Sequence, residues 1–347
     1  MTMKKIFFLL MVLTAANIAS AQLQLNGAGA TFPYVIYSKW FDEYQKKTAI
    51  QFNYQSIGSG GGIKQVIEGT VDFGATDGPM TDQQMEEAKT KQATEVLHIP
   101  TVLGAVVATY NVSGIGAGLK LTPDVLADIF LGKVTQWNDV RIAAVNKGVS
   151  LPSKPIVVVH RSDGSGTTYI FVDYLSKVSP EWKQNVGVGT SVKWPVGLGG
   201  KGNEGVAGQV KQIDGAIGYV ELAYAVKNNL SYASLKNKAG NFIVPSLESV
   251  TAAAMNEAKK MPEDLRVSIT DAAGKDSYPI SGFTWLLIYK DQKNGDKAKA
   301  MVNFLKWAFT EGEKFAPALY YAPLPKAVIK LNEKKIASIR FNGKPIQ

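Results

Sequence analysis

Residues 155–175, PIVVVHRSDGSGTTYIFVDYL, place a strand, a turn and a helix in immediate succession. Ile156 to Val159 are a short apolar run rich in β-branched residues, the pattern of a buried strand. From Thr167 onward, Ile170, Phe171, Tyr174 and Leu175 recur at helical spacing and form one apolar stripe. Between the two lie His160, Arg161, Asp163, the hydroxyls of Ser162, Ser165, Thr167 and Thr168 around Gly164 and Gly166, and the start of the helix. Arg161 is one of four arginines; the other 34 basic residues are lysine. A planar fork of donors beside free N–H groups at a helix start suits a tetrahedral oxyanion.

The same plan recurs outward from this stretch. Leu23 to Asn26 alternate as a strand and lead into Gly27-Ala-Gly-Ala-Thr-Phe-Pro33. There Thr31 is placed to cap a helix whose stripe is Val35, Ile36, Trp40, Phe41 and Tyr44. Ile50 to Tyr54 alternate again, Ile57 to Gly62 form a glycine-rich turn carrying Ser59, and Ile63 begins a short helix. Thr70 to Thr76 make a third strand that ends at Asp77. Further strands are predicted over Leu103–Tyr110, Gly215–Val220 and Phe283–Tyr289, and helices over Thr122–Phe130 and Lys297–Phe309. Strands alternating with amphipathic helices indicate α/β architecture, in which ligands sit beyond the carboxyl ends of the strands. Thr31, Ser59, Asp77 and the Arg161 loop all fall at such ends.

Composition narrows the class. Met1 to Lys5 supply a positive start, Ile6 to Leu13 an apolar core and Ala19-Ser-Ala21 a small-residue cleavage pattern, so residues 1–21 read as a cleavable export signal. No other segment approaches the roughly 18 apolar residues of a membrane span. The remaining chain of about 326 residues suits two domains. There is no cysteine, hence no disulfide, and two distant histidines give no ordinary structural metal set. The formal charge of +9 falls by two when Lys4 and Lys5 are removed. Lysines are scattered, apart from a helically spaced group at Lys326, Lys330, Lys334, Lys335 and Arg340 that reads as a solvated face. No nucleic-acid motif accompanies them.

The chemistry-bearing residues admit plain readings as well. Taken alone, the Arg161 loop is equally a helix cap with an Arg161–Asp163 ion pair. Asp77 is equally a turn aspartate. Set against an anion, its carboxylate would accept a hydrogen bond from phosphate, which keeps a proton at neutral pH, and would oppose the lone pairs of sulfate. Asp163, two residues from Arg161, is placed to hold and partly neutralise the guanidinium. The glycine-rich run Gly197 to Gly205 lacks Walker spacing and reads as a structural loop. Ser59 and Ser165 lack the glycines of a nucleophile elbow. His160, adjacent to Arg161 on a strand end, is expected to point the other way, into solvent. A secreted phosphatase using Ser165 or Ser59 is the alternative from the enzyme class. Sulfate, molybdate or a phosphate ester is the alternative ligand. Trp40, Tyr44, Trp137, Trp182, Trp194 and Trp285 read mainly as core.

These motifs resemble the periplasmic phosphate-binding proteins of phosphate ABC transporters. The resemblance runs through Gly27–Pro33, Tyr54–Ser59, Val71–Asp77, Asp163–Thr167, Lys193–Gly202 and Gly215–Val220. It implies a type II two-lobed α/β periplasmic binding protein fold, each lobe a mixed sheet flanked by helices, with one phosphate in the cleft between them. It implies phosphate ligands at Thr31, Phe32, Ser59, Asp77, Arg161, Ser165, Gly166 and Thr167, with Asp163 supporting Arg161. It implies one lobe over 22–103 and 281–347 and the other over 104–280, with crossings near Leu103 and Ile280. It also implies a periplasmic monomer without catalysis, metal or cofactor, which hands inorganic phosphate to an inner-membrane ABC permease. Two positions depart from the pattern: Gly60 follows Ser59 where a second serine is usual, and His160 precedes Arg161 where a second arginine is usual.

Overall fold

The computed structural model describes residues 22–258 and 260–346; the predicted export signal, residues 1–21, lies outside them. The strand patterns assemble into one mixed sheet. Its strands are β1 (Gln24–Gly29), β2 (Gln51–Ser56), β3 (Phe73–Thr76), β4 (Val96–Asn111), β5 (Val157–Arg161), β6 (Leu198–Gly200), β7 (Ala216–Glu221), β8 (Ser231–Tyr232) and β9 (Ser281–Tyr289). The order is β2-β1-β3-β9-β4-β7-β5-β6, with β8 also paired to β4. β1 is parallel to both β2 and β3, whereas β9 runs antiparallel between β3 and β4. β5 is parallel to β6 and β7.

The two-lobed form follows from β4. Its sixteen residues are buried almost throughout, as suits a strand shared by both halves. The first part, Val96 to Ala105, pairs with β9, and the second, Val106 to Asn111, pairs with β7. β9 begins at Ser281 opposite Ala105, so both connecting strands pass the same point. One buried apolar cluster runs through both halves, with an aromatic group in each. In the first, Phe41 stacks on Phe52 at 4.9 Å and Phe304 closes on Phe52 at 4.6 Å. In the second, Phe171 stacks on Tyr219 at 4.3 Å and Phe130 meets Phe171 at 4.7 Å. Trp40, Trp137, Trp182 and Trp285 are fully buried, as expected of core residues. Trp194 is half-buried.

Several local expectations are corrected. Helix α1 (Tyr34–Thr48) starts after Pro33, which occupies the N-cap without a side-chain cap, so Thr31 does not cap it. Helix α2 (Ser59–Glu68) absorbs the glycine run instead of following it. The reason is packing: a Cβ at Gly62 would lie 2.5 Å from the Gly29 Cα and 2.7 Å from the Ala28 carbonyl, so only glycines let this turn close on β1. The Arg161 loop leads into α3 (Gly166–Val178) as expected. The Gly197–Gly205 run is not one loop; it forms β6 and the start of α4 (Gly202–Gln212). Helix α5 (Leu222–Lys227) follows β7 directly. Near the carboxyl end, α6 (Lys326–Ala337) exposes Lys326, Lys330 and Lys334 of the predicted solvated face, but Lys335 is half-buried, and Arg340 lies beyond the helix, half-buried and paired with Asp291. No helix among the described residues is long and apolar enough to cross a membrane.

Candidate functional site

The first half of the sheet delivers three polar side chains from the carboxyl ends of β1, β2 and β3. Thr31, Ser59 and Asp77 are all at most 3 % exposed. The Asp77 Oδ1 accepts a 2.7 Å hydrogen bond from Thr284 Oγ1, and its Oδ2 accepts a longer one, 3.4 Å, from Ser59 Oγ. The Asp77 N–H donates to Ser59 Oγ at 3.1 Å, which fixes the turn. Burial pushes the Asp77 carboxyl up to about 7, against the opposing pull of Thr284, the Arg161 charge and Ser59.

The second half delivers the cation. Arg161 ends β5 with its side chain almost wholly buried. Its Nε donates to Asp163 Oδ1 at 2.8 Å and its Nη2 to Asp163 Oδ2 at 2.5 Å, a two-point clamp. Its Nη1 donates to Thr167 Oγ1 at 3.3 Å, and its backbone N–H donates to the Tyr219 hydroxyl at 3.1 Å. Burial alone would raise Asp163, but the Arg161 guanidinium and the Gly202 N–H, 3.0 Å away, hold its carboxyl below the ordinary value. Ser165 is the N-cap of α3, its Oγ accepting from the Thr168 N–H at 2.9 Å. Capping uses the oxygen and leaves the hydroxyl hydrogen free to donate. Gly166 and Thr167 then occupy the first two helical positions, where N–H groups have no partner within the helix.

The halves meet at this point. The Gly60 N–H donates to the Gly164 carbonyl at 2.9 Å, and Tyr224 of α5 donates its hydroxyl to the Thr31 carbonyl at 2.6 Å. Gly166 lies directly over the carboxylate end: a Cβ there would press on Ser59 Oγ and lie 2.5 Å from Asp77 Oδ2. A buried cation with its own counter-ion, hydroxyl and backbone donors, and one carboxyl thus converge where the halves meet. That donor set is chemically matched to a tetrahedral anion carrying one proton.

The sequence-predicted residues are therefore brought together with one qualification. The ring of Phe32 is core, set edge-on to Tyr321 at 6.4 Å and against Gly104, and its carbonyl accepts from the Tyr321 hydroxyl at 2.6 Å. Only the Phe32 N–H remains for a ligand. The His160 side chain turns away from that of Arg161 as expected, but it is only partly solvated. It is half-buried and stacked on Trp194, 4.7 Å between centroids. Gly60, the departure after Ser59, brings its backbone so near Gly164 that a Cβ would lie 3.1 Å from the Gly164 Cα. Sequence reading missed Asn203, Tyr219, Tyr224 and Thr284. The one available signal was Thr284, a hydroxyl inside the apolar run of β9. No group of three His, Cys, Asp or Glu side chains among the described residues is arranged to hold a metal.

The Asp77 environment predicts a pH-dependent stability. The folded chain holds this proton up to about 7, while the unfolded chain releases it near 3.8. The stability contributed by the neutral carboxyl is complete below the lower value and is lost as pH rises through the upper one. The interval corresponds to at most ~4 kcal/mol. Ligand-stripped Asp77→Asn protein is expected to be more stable than wild type at neutral pH and to lose that advantage near pH 4. Chemical denaturation at both values checks it, and equal midpoints at neutral pH would contradict it.

The PBP superfamily domain matches residues 14–311. The phosphate-binding protein PstS of Pasteurella multocida is 48% identical over 330 residues, covering 94% of this chain and 94% of that one. PstS of Xylella fastidiosa is 48% identical over 317 residues, covering 91% of this chain and 85% of that one. Among solved structures, a high-affinity periplasmic phosphate-binding protein (PfluDING) bound with phosphate superposes with a TM-score of 0.73 at 23% identity, covering 91% of this chain and 94% of that one.

Proposed function

The chain belongs to the PstS family of the PBP superfamily, and from that premise we propose that it is a periplasmic receptor that captures inorganic phosphate and delivers it to an inner-membrane ABC permease. The observation that carries the reading is the convergence of the Asp163-clamped Arg161 loop on the buried Asp77, whose carboxylate Gly166 closely approaches. Thr31, Ser59, Arg161, Ser165 and Thr167 would donate through side chains, and Phe32, Gly166 and Thr167 through backbone N–H groups. Asp77 would take the one hydrogen that phosphate has to give. Charge-assisted hydrogen bonds contribute about 1.5–3 kcal/mol each, so several of them, less closure and desolvation, reach the roughly −8 kcal/mol of micromolar binding.

On this reading the lobes are residues 22–103 with 281–347, and 104–280, hinged where β4 and β9 cross. The bonds from Gly60 to Gly164 and from Tyr224 to Thr31 belong to the closed state. Closure about two crossing strands is a hinge motion, and the closed monomer is the form that would dock on the permease. Asp77→Asn tests the ligand. An amide there can donate to sulfate, so the variant is expected to lose most of a discrimination that one such hydrogen bond sets at roughly 10⁴–10⁵. Competition calorimetry with phosphate and sulfate reads it. Unchanged selectivity would remove Asp77 from the role of proton acceptor.

A further inference from the structure

Asn203 is completely buried at the start of α4, in a glycine-rich run that sequence reading left as scaffolding. Its Oδ1 accepts from the Glu221 N–H at 2.9 Å, which fixes the orientation of the amide. The Nδ2 therefore faces the site. It donates to Thr31 Oγ1 at 2.7 Å and to Thr167 Oγ1 at 3.1 Å. Thr31 Oγ1 accepts a second bond, from the Asn203 backbone N–H at 3.3 Å, and Thr167 Oγ1 accepts a second from Arg161 Nη1 at 3.3 Å.

A hydroxyl has two lone pairs and one hydrogen. Both threonines have both lone pairs occupied by donors, so each can act toward a ligand only by donating. We propose that Asn203 is the positioning residue that makes this wall of the site donor-only, and that it couples that polarity to closure because its amide joins Thr31 of one half to Thr167 of the other. The consequence is directional. A phosphate hydrogen finds no acceptor on the threonine side and is left to Asp77, so the selectivity attributed to Asp77 depends on an amide that need not touch the anion.

This inference rests on the phosphate reading above, and its test separates the two. Calorimetric phosphate affinity would be measured for wild type, Asn203→Ala, Thr31→Val/Thr167→Val and the triple variant, with melting temperatures alongside. Asn203→Ala is expected to weaken phosphate binding about 10–100-fold in the wild-type background and by no more than about threefold once both hydroxyls are gone, since residues that act through one another are not additive. The near-isosteric Asn203→Asp, which can still accept from Glu221 N–H but would turn both hydroxyls toward itself, is expected to lose more than Asn203→Ala. It replaces Asn203→Ala in the cycle if the alanine protein does not fold. Additive losses, or wild-type affinity in Asn203→Ala, would overturn the positioning role while leaving phosphate binding intact. Failure of wild type to bind phosphate would instead overturn the reading on which it rests.

Discussion

Replacing Arg161 with methionine is expected to lower phosphate affinity by at least about 1,000-fold while leaving a partly destabilised but folded protein. Two effects add. The anion loses its only guanidinium, and Asp163, which is largely buried, becomes an uncompensated carboxylate beside the ligand. Breaking a buried pair from one side typically costs ~3–5 kcal/mol, more than the pair contributes over an apolar substitute. The effects separate in a second variant. Arg161→Met/Asp163→Asn removes the stranded charge, so its thermal stability should return most of the way to wild type, and its phosphate affinity should not. Calorimetry and thermal melts on both proteins check this. Recovery of binding in the double variant would mean that Arg161 serves only to neutralise Asp163.

The second large effect is expected from one methyl group. Gly166→Ala places a Cβ against Ser59 Oγ and 2.5 Å from Asp77 Oδ2, contacts that side-chain rotation cannot relieve because α3 is anchored through its Ser165 cap. Overpacking of this kind costs ~1–3 kcal/mol, and here the strain exists only when the halves are together. The predicted signature is therefore specific: phosphate affinity falls about 10–100-fold, scattering shows the ligand-bound protein more open than wild type, and the melting temperature of the ligand-free protein barely moves. A lowered ligand-free melting temperature with unaltered closure would show instead that Gly166 is a core packing residue.

The contrast between these two residues shows what a sequence can disclose. Arg161 was legible because a rare residue type followed a clear β-branched strand and preceded a capped helix, all within one local unit. Thr31, Ser59 and Asp77 were legible for the same reason, each closing a strand whose alternation was plain. Gly166 was marked as a backbone donor, but its contact with Asp77 lies across the two halves and has no local signal. Asn203 was hidden more deeply. Its three partners are 18, 36 and 172 residues away, and nothing in a glycine-rich run says which side chain turns inward. Thr31 went the other way. Local rules made it a helix cap, and a tertiary donor took its oxygen first. His160 followed local geometry in pointing away from Arg161, yet the Trp194 ring covers the place where solvent was expected.

On the proposed function, an arginine clamped by its own carboxylate and a buried aspartate hold one singly protonated oxyanion between them. Isothermal titration of the ligand-stripped protein with phosphate, and separately with sulfate at the same neutral pH, decides it. One phosphate per chain at micromolar affinity or tighter is expected, with sulfate weaker by at least about 1,000-fold. Equal affinities for the two anions, or no heat with phosphate, would contradict it.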